Sequence, residues 1–110
     1  MTRMTGGQAV VTALMANGAN LAFGIPGVHN LAIYDALIDQ PTFRHILVRN
    51  EQAASYMANA VGRATRRPGI CLVASGPAAC NVLAGVADAA RESTPMLVLA
   101  SEISSRFIGQ

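Results

Sequence analysis

Pro68-Gly69-Ile70-Cys71-Leu72-Val73-Ala74-Ser75-Gly76-Pro77 decides the fold. Ile70 to Ala74 is apolar at every position, with Pro-Gly before it and Ser-Gly-Pro after it. A strand with one face in water alternates apolar and polar residues; an unbroken run is what a strand covered on both faces needs. Two further short apolar runs, Leu21–Gly24 and Met96–Ser101, have the same character, and Phe43–Val48 makes a fourth strand.

Helical patterns fill the gaps. Gly6-Gly7-Gln8 opens one whose stripe is Val10, Val11, Leu14 and Met15, and Asn17-Gly18 stops it. Asn30 is expected to cap a second, with Ile33, Ala36 and Leu37 inward, ended by Asp39-Gln40-Pro41. A long helix from about Glu51 to Thr65 is rich in small residues (Ala53, Ala54, Ala58, Ala60, Gly62, Ala64), which permits close approach to a sheet or a helix. Arg66-Arg67-Pro68-Gly69 closes it. A single helix is expected from about Asn81 to Ala90, with Val82, Leu83, Val86, Ala87 and Ala90 inward. The tail, Glu102–Gln110, is polar and looks unfinished. Strand and helix in alternation predict an α/β fold: a parallel sheet of about four strands with crossover helices on both faces.

Composition narrows the function classes. The chain has 110 residues, 52% hydrophobic and 13% charged, which excludes disorder and leaves too few polar residues to coat so small a body. Part of the surface is therefore expected to be covered by another domain or subunit. The net charge is +2, carried by scattered arginines; Arg63, Arg66 and Arg67 cluster where a helix ends, a placement that suits the helix dipole better than nucleic acid. Trp is absent and aromatics are 5%, so base-stacking platforms are not expected. No run approaches the roughly 18 apolar residues that span a membrane. Cys71 and Cys80 match no zinc spacing and no disulfide framework, so reduced thiols and a cytoplasmic setting are expected, with no metal site.

In a parallel sheet the chemistry sits at the carboxyl ends of the strands. Gly24-Ile25-Pro26-Gly27 offers a backbone that a planar ligand could approach, or only a tight turn. In Arg49-Asn50-Glu51-Gln52, Glu51 follows a strand and begins a helix. It is either a first-turn acid that complements the dipole or a carboxyl placed to share a proton with a ligand nitrogen. Ser75-Gly76-Pro77-Ala78-Ala79-Cys80-Asn81 puts amides and small side chains beside a helix start, an anion cradle or a wall against a partner. His45 reads as structural; His29 lies in the first loop, where it is either a ligand contact or an ordinary loop side chain. Neither G-x-G-x-x-G nor G-x-x-x-x-G-K-[ST] occurs, which disfavours dinucleotide or triphosphate binding.

Phe23-Gly24-Ile25-Pro26-Gly27, Arg49-Asn50-Glu51-Gln52-Ala53-Ala54, the Pro68–Val73 run leading into Ser75-Gly76-Pro77 and Asn81, and Pro95-Met96-Leu97-Val98-Leu99, in this order, resemble the N-terminal pyrimidine-binding domain of the thiamine-diphosphate enzymes related to acetolactate synthase and the 2-oxo acid decarboxylases. The resemblance spans nearly the whole chain. It implies that Glu51 is catalytic, hydrogen-bonding N1′ of the aminopyrimidine so that the imino form can take the proton from thiazolium C2. It implies that Pro26, Gly27, Ser75, Pro77 and Asn81 join Glu51 in binding the cofactor. Mg²⁺ and the diphosphate would be held by another domain or chain, and the substrate would be a 2-oxo acid. The flavin (FAD) of some relatives is not supported, because the domain that binds it is absent from this sequence.

Three residues depart from the family pattern: Asn50 where His is usual, Ala78 where a second Gly is usual, and Cys80 where Thr is common. An Ala in place of a Gly that needs positive φ would reshape the third loop. The family domain has six strands, so residues 1–110 are expected to be a partial domain: a fragment, a separate subunit or a truncated product. A homo- or hetero-oligomer is expected, with no turnover by the chain alone. Two other readings remain: a non-catalytic interaction module that kept the fold, and an unrelated nucleotide-binding α/β domain.

Overall fold

The computed structural model describes residues 3–110; Met1 and Thr2, the first residues of the expected 1–110 domain, lie outside them. The elements run α1 (Gly6–Ala16), β1 (Leu21–Gly24), α2 (Leu31–Ile38), β2 (Arg44–Leu47), α3 (Glu51–Thr65), β3 (Gly69–Val73), α4 (Pro77–Asn81), α5 (Leu83–Arg91) and β4 (Met96–Ala100). The four strands form one sheet of order β2-β1-β3-β4, parallel throughout, as expected.

All five residues of β3 are buried, which is why its sequence shows no alternation. Alternate positions along the strands feed two cores. Phe23, Cys71 and Val73 pack with Ala54 and Ala58 of α3, Ala78 of α4 and Val82. Ala22, Ile70 and Leu72 pack with Leu14 of α1 and with Ile33, Tyr34 and Leu37 of α2. Helices therefore cover both faces, α1 and α2 on one and α3 and α5 on the other. Tyr34 Oη lies 2.8 Å from His45 Nε2, and burial lowers the His45 pKa, so this histidine is part of the packing as its position in a strand suggests.

Caps explain the helix bounds. Thr5 and Gln8 form a capping box at the start of α1. Asn50 caps α3, its Oδ1 accepting the Gln52 N–H at 2.8 Å, and Arg66 ends that helix in the left-handed region at φ 59°. Arg67 turns away to α1, Nη2 donating to the carbonyls of Asn17 and Gly18.

Three expectations are corrected. The Asn30 side chain does not cap α2; it turns back into its own loop, for reasons given below. The helix expected from Asn81 to Ala90 is two helices joined at Val82. Its inward residues are Val82, Gly85, Val86 and Ala89, whereas Leu83, Ala87 and Ala90 are exposed. The reason is Gly85: a Cβ there would stand 2.2 Å from Ser55 Oγ, so α5 meets α3 along a bare edge that an apolar pattern does not mark.

Ala78 is the third. It is a buried helical residue of α4, and the positive φ of this loop is at Gly76 (φ 62°, ψ −121°), near the first corner of a type II′ turn. Nothing lies within 4 Å of a Cβ added at Gly76, so Gly76→Ala tests backbone strain alone. We expect a loss of about 1–3 kcal/mol in urea denaturation; an unchanged midpoint would mean that the turn has an alternative conformation open to alanine.

Candidate functional site

Strand order fixes where a site can form. The chain leaves β1 for β2 on one side, then returns over β1 through α3 to β3 and goes on to β4 on the other side. The connections after β1 and after β3 thus diverge to opposite faces, and the crevice between them is the topological switch point. The sequence-predicted residues lie on this carboxyl-end lip: Pro26 and Gly27 after β1, Glu51 after β2, Ser75, Pro77 and Asn81 after β3.

The first loop is internally braced. Asn30, 2% exposed, takes the Gly27 N–H on Oδ1 at 2.7 Å and donates Nδ2 to the Ile25 carbonyl at 3.2 Å. Both ends of its amide are spent on the loop backbone, which is why it leaves α2 uncapped. Gly27 sits against the third loop, since a Cβ on it would come within 2.8 Å of the Ala74 Cβ. Gly24 has a different use from the ligand approach considered for it. The space its missing Cβ leaves is filled by the Leu72 carbonyl of β3.

The third loop ties the others together. Ser75 Oγ lies 3.0 Å from His29 Nδ1, across to the first loop. Asn81, at the end of α4, donates Nδ2 to Glu51 Oε2 at 3.0 Å, across to the start of α3. Glu51 is half-buried, and its Oε1 has no hydrogen-bond partner among the described residues. The carboxylate is also close enough to β3 to act on Cys71, whose thiol is pushed up to about 11 by burial first and by the Glu51 charge second. Pro26 and Pro77 are exposed on the same lip.

Glu51 leaves one carboxyl oxygen open as an acceptor, and Pro26, Gly27 and Pro77 present no charge, a set of groups compatible with a flat ring that carries a proton-bearing nitrogen. A cleft of about 270 Å³, lined by Leu14, Leu21, Val61, Arg67 and Ile70 among others, lies at the opposite, amino end of the strands, away from these residues. Among the described residues no group of three or more His, Cys, Asp or Glu could hold a metal ion. No helix among them is long and apolar enough to cross a membrane.

Sequence reasoning singled out Glu51 and Asn81 separately but not their hydrogen bond, and it missed the role of Asn30. A signal for the latter was present: Asn three residues beyond a Pro-Gly turn can bond back to the turn as readily as it caps forward.

Residues 4–110 match the family described as thiamine pyrophosphate enzyme, N-terminal TPP binding domain. The acetolactate synthase large subunit of Corynebacterium glutamicum is 40% identical over 107 residues, 97% of this chain and 17% of the relative. The large subunit of acetolactate synthase isozyme 2 of Escherichia coli is 43% identical over 106 residues, 96% of this chain and 19% of the relative. An acetolactate synthase of Mycobacterium bovis is 38% identical over 109 residues, 99% of this chain and 18% of the relative. The chain thus spans less than a fifth of the length of these relatives.

Proposed function

This chain belongs to the thiamine pyrophosphate enzyme family, as an N-terminal TPP-binding domain of the acetolactate synthase-like kind, and from that premise we propose that it forms the pyrimidine side of a thiamine diphosphate site in a 2-oxo acid decarboxylase or acetolactate-synthase-like carboligase. The observation that carries this reading is the Glu51 carboxyl, held by Asn81 at the switch-point end of the sheet with one oxygen left open.

Glu51 hydrogen-bonds the ring nitrogen N1′ and holds or yields a proton there. Asn81 fixes the carboxyl, and Pro26, Gly27, Ser75 and Pro77 wall the ring. The cofactor, when bound, supplies the electron sink that decarboxylation of a 2-oxo acid needs; the protein supplies orientation and a proton path.

Magnesium and the diphosphate belong to another domain or chain. Exposed apolar side chains on the lip support such a partner: Val28 is 80% exposed, Leu47 64% and Leu83 60%. In this reading the chain works within an oligomer, and the two free thiols suit a reducing, cytoplasmic setting.

Calorimetry tests the proposal. Thiamine diphosphate with Mg²⁺ is expected to bind the chain assembled with a diphosphate-binding domain at least about tenfold more tightly than the chain alone, a difference of 1.4 kcal/mol. The chain alone is expected to release no CO₂ from pyruvate. Metal-dependent CO₂ release by the chain alone would overturn the half-site reading.

A further inference from the structure

Opposite the lip, at the amino ends of the strands, β1 and β3 come apart. Their ladder joins only Phe23 to Cys71 and Gly24 to Leu72, whereas β1 and β2 pair over four residues and β3 and β4 over five. The starts of β1 and β3 are left unjoined, and the cleft of about 270 Å³ lies there, with Leu14, Leu21, Val61 and Ile70 among its walls and Leu97 of β4 beside them. An interior at normal packing density leaves few voids larger than a water molecule, and a dry apolar cavity of about 150 Å³ already takes up benzene. This cleft has room for one ring or branched chain with a short arm. Its mouth carries a single charge. Arg67 lines it, and no acidic side chain does; Asn17, Asn20 and Thr65 are neutral. The guanidinium is fixed from one side, Nη2 donating to the carbonyls of Asn17 at 3.3 Å and Gly18 at 3.0 Å, and Gly18 has no Cβ to crowd it. Nε and Nη1 of Arg67 have no partner among the described residues. A cation held in this way is preorganised for an anion.

We propose that this cleft is a second binding site, for a small apolar carboxylic acid whose hydrocarbon part lies between the starts of β1 and β3 and whose carboxylate accepts hydrogen bonds from the free N–H groups of Arg67. Concave, mainly apolar walls with one well-placed polar group are the usual make-up of a small-molecule site, and a guanidinium suits a carboxylate. The lining narrows the class further. An amino acid would bring an ammonium group to a mouth that has a cation and no carboxylate to receive it. A polyphosphate would set several charges against one arginine and apolar walls. Glu51 and the cofactor play no part, because they belong to the other end of the sheet.

The test titrates the full chain with two probes of the same shape, 3-phenylpropanoate and its uncharged counterpart 3-phenylpropan-1-ol, by calorimetry and by amide NMR. The acid is expected to bind about 10- to 100-fold more tightly than the alcohol, the range for hydrogen bonds to a charged group, and to shift the amides of Leu21 and Ile70. Arg67→Met keeps an apolar stem and removes the charge; it is expected to bring the acid down to the affinity of the alcohol, and Arg67→Lys to recover part of the difference. Leu97 is more than a third exposed, so Leu97→Trp fills the cleft from its edge without touching Arg67. It is expected to abolish binding of both probes, which keeps the test open should loss of the Arg67 contacts to Asn17 and Gly18 unfold the chain. No binding of the acid at about 10 mM, equal affinity for acid and alcohol, unchanged acid binding in Arg67→Met or Leu97→Trp, or amide shifts at the lip in place of Leu21 and Ile70 each overturn the proposal. The cofactor reading stands or falls separately, on Glu51→Gln.

Discussion

Glu51→Gln lowers thiazolium C2 proton exchange in the assembled protein by about 10²- to 10⁴-fold, the usual contribution of a positioned acid or base, and leaves assembly intact. The substitution keeps the shape of the side chain. A glutamine Oε1 can still accept the Asn81 Nδ2 that Glu51 Oε2 accepts at 3.0 Å, so the contact between α3 and α4 survives. What is lost is the group that can take and return a proton. The helix itself is little affected, because its cap is Asn50, whose Oδ1 holds the Gln52 N–H. Loss of a first-turn acid costs about 0.3–1 kcal/mol through the dipole, too little to unfold the domain. A variant that assembles, binds cofactor and exchanges the C2 proton at the parent rate would show that Glu51 is only a helix-dipole acid. Denaturation midpoints of the two proteins, measured alongside, separate a chemical loss from a structural one.

The sequence was legible where one local rule acts alone. The unbroken apolar run of β3 and the Asn-Glu start and Arg-Pro-Gly end of α3 gave those elements close to their observed bounds, because burial on both faces and helix ends leave marks on neighbouring residues. It was less legible where a contact is made by something missing. Gly85 belongs to the inner face of α5 because it has no side chain to place there, whereas an apolar pattern selects Leu83, Ala87 and Ala90. The site showed the same division. Each lip residue could be named from its place after a strand, but the hydrogen bonds that join them span long stretches of chain. Glu51 and Asn81 are 30 residues apart, and His29 and Ser75 are 46 apart. Only the sheet order β2-β1-β3 brings those loops to one crevice, and no short-range pattern encodes that order.

Gly24→Val destabilises the fold by about 3 kcal/mol, at the upper end of the usual range for overpacking, and lowers the midpoint of urea denaturation accordingly. Gly24 is the last residue of β1 and pairs with Leu47 of β2 and Leu72 of β3. Its φ is not in the left-handed region, so its backbone could be adopted by other residues. The constraint comes from its neighbours. A Cβ would stand 1.9 Å from the Leu72 carbonyl oxygen and 3.0 Å from Tyr34 Oη. The first of these is backbone, fixed in the β3 ladder, and cannot swing aside as a flexible side chain would. The strands must separate where the first and third loops leave the sheet. The stability loss should therefore come with weaker cofactor binding in the assembled protein, under conditions where both variants are still folded. Gly76→Ala offers the contrast, since its cost arises from φ alone with nothing near the added methyl. If Gly24→Val unfolds within 0.5 kcal/mol of the parent, the size of an ordinary surface substitution, then β1 and β3 do not approach this closely at the lip. The two loops would then have no fixed spacing with which to hold a ring between them.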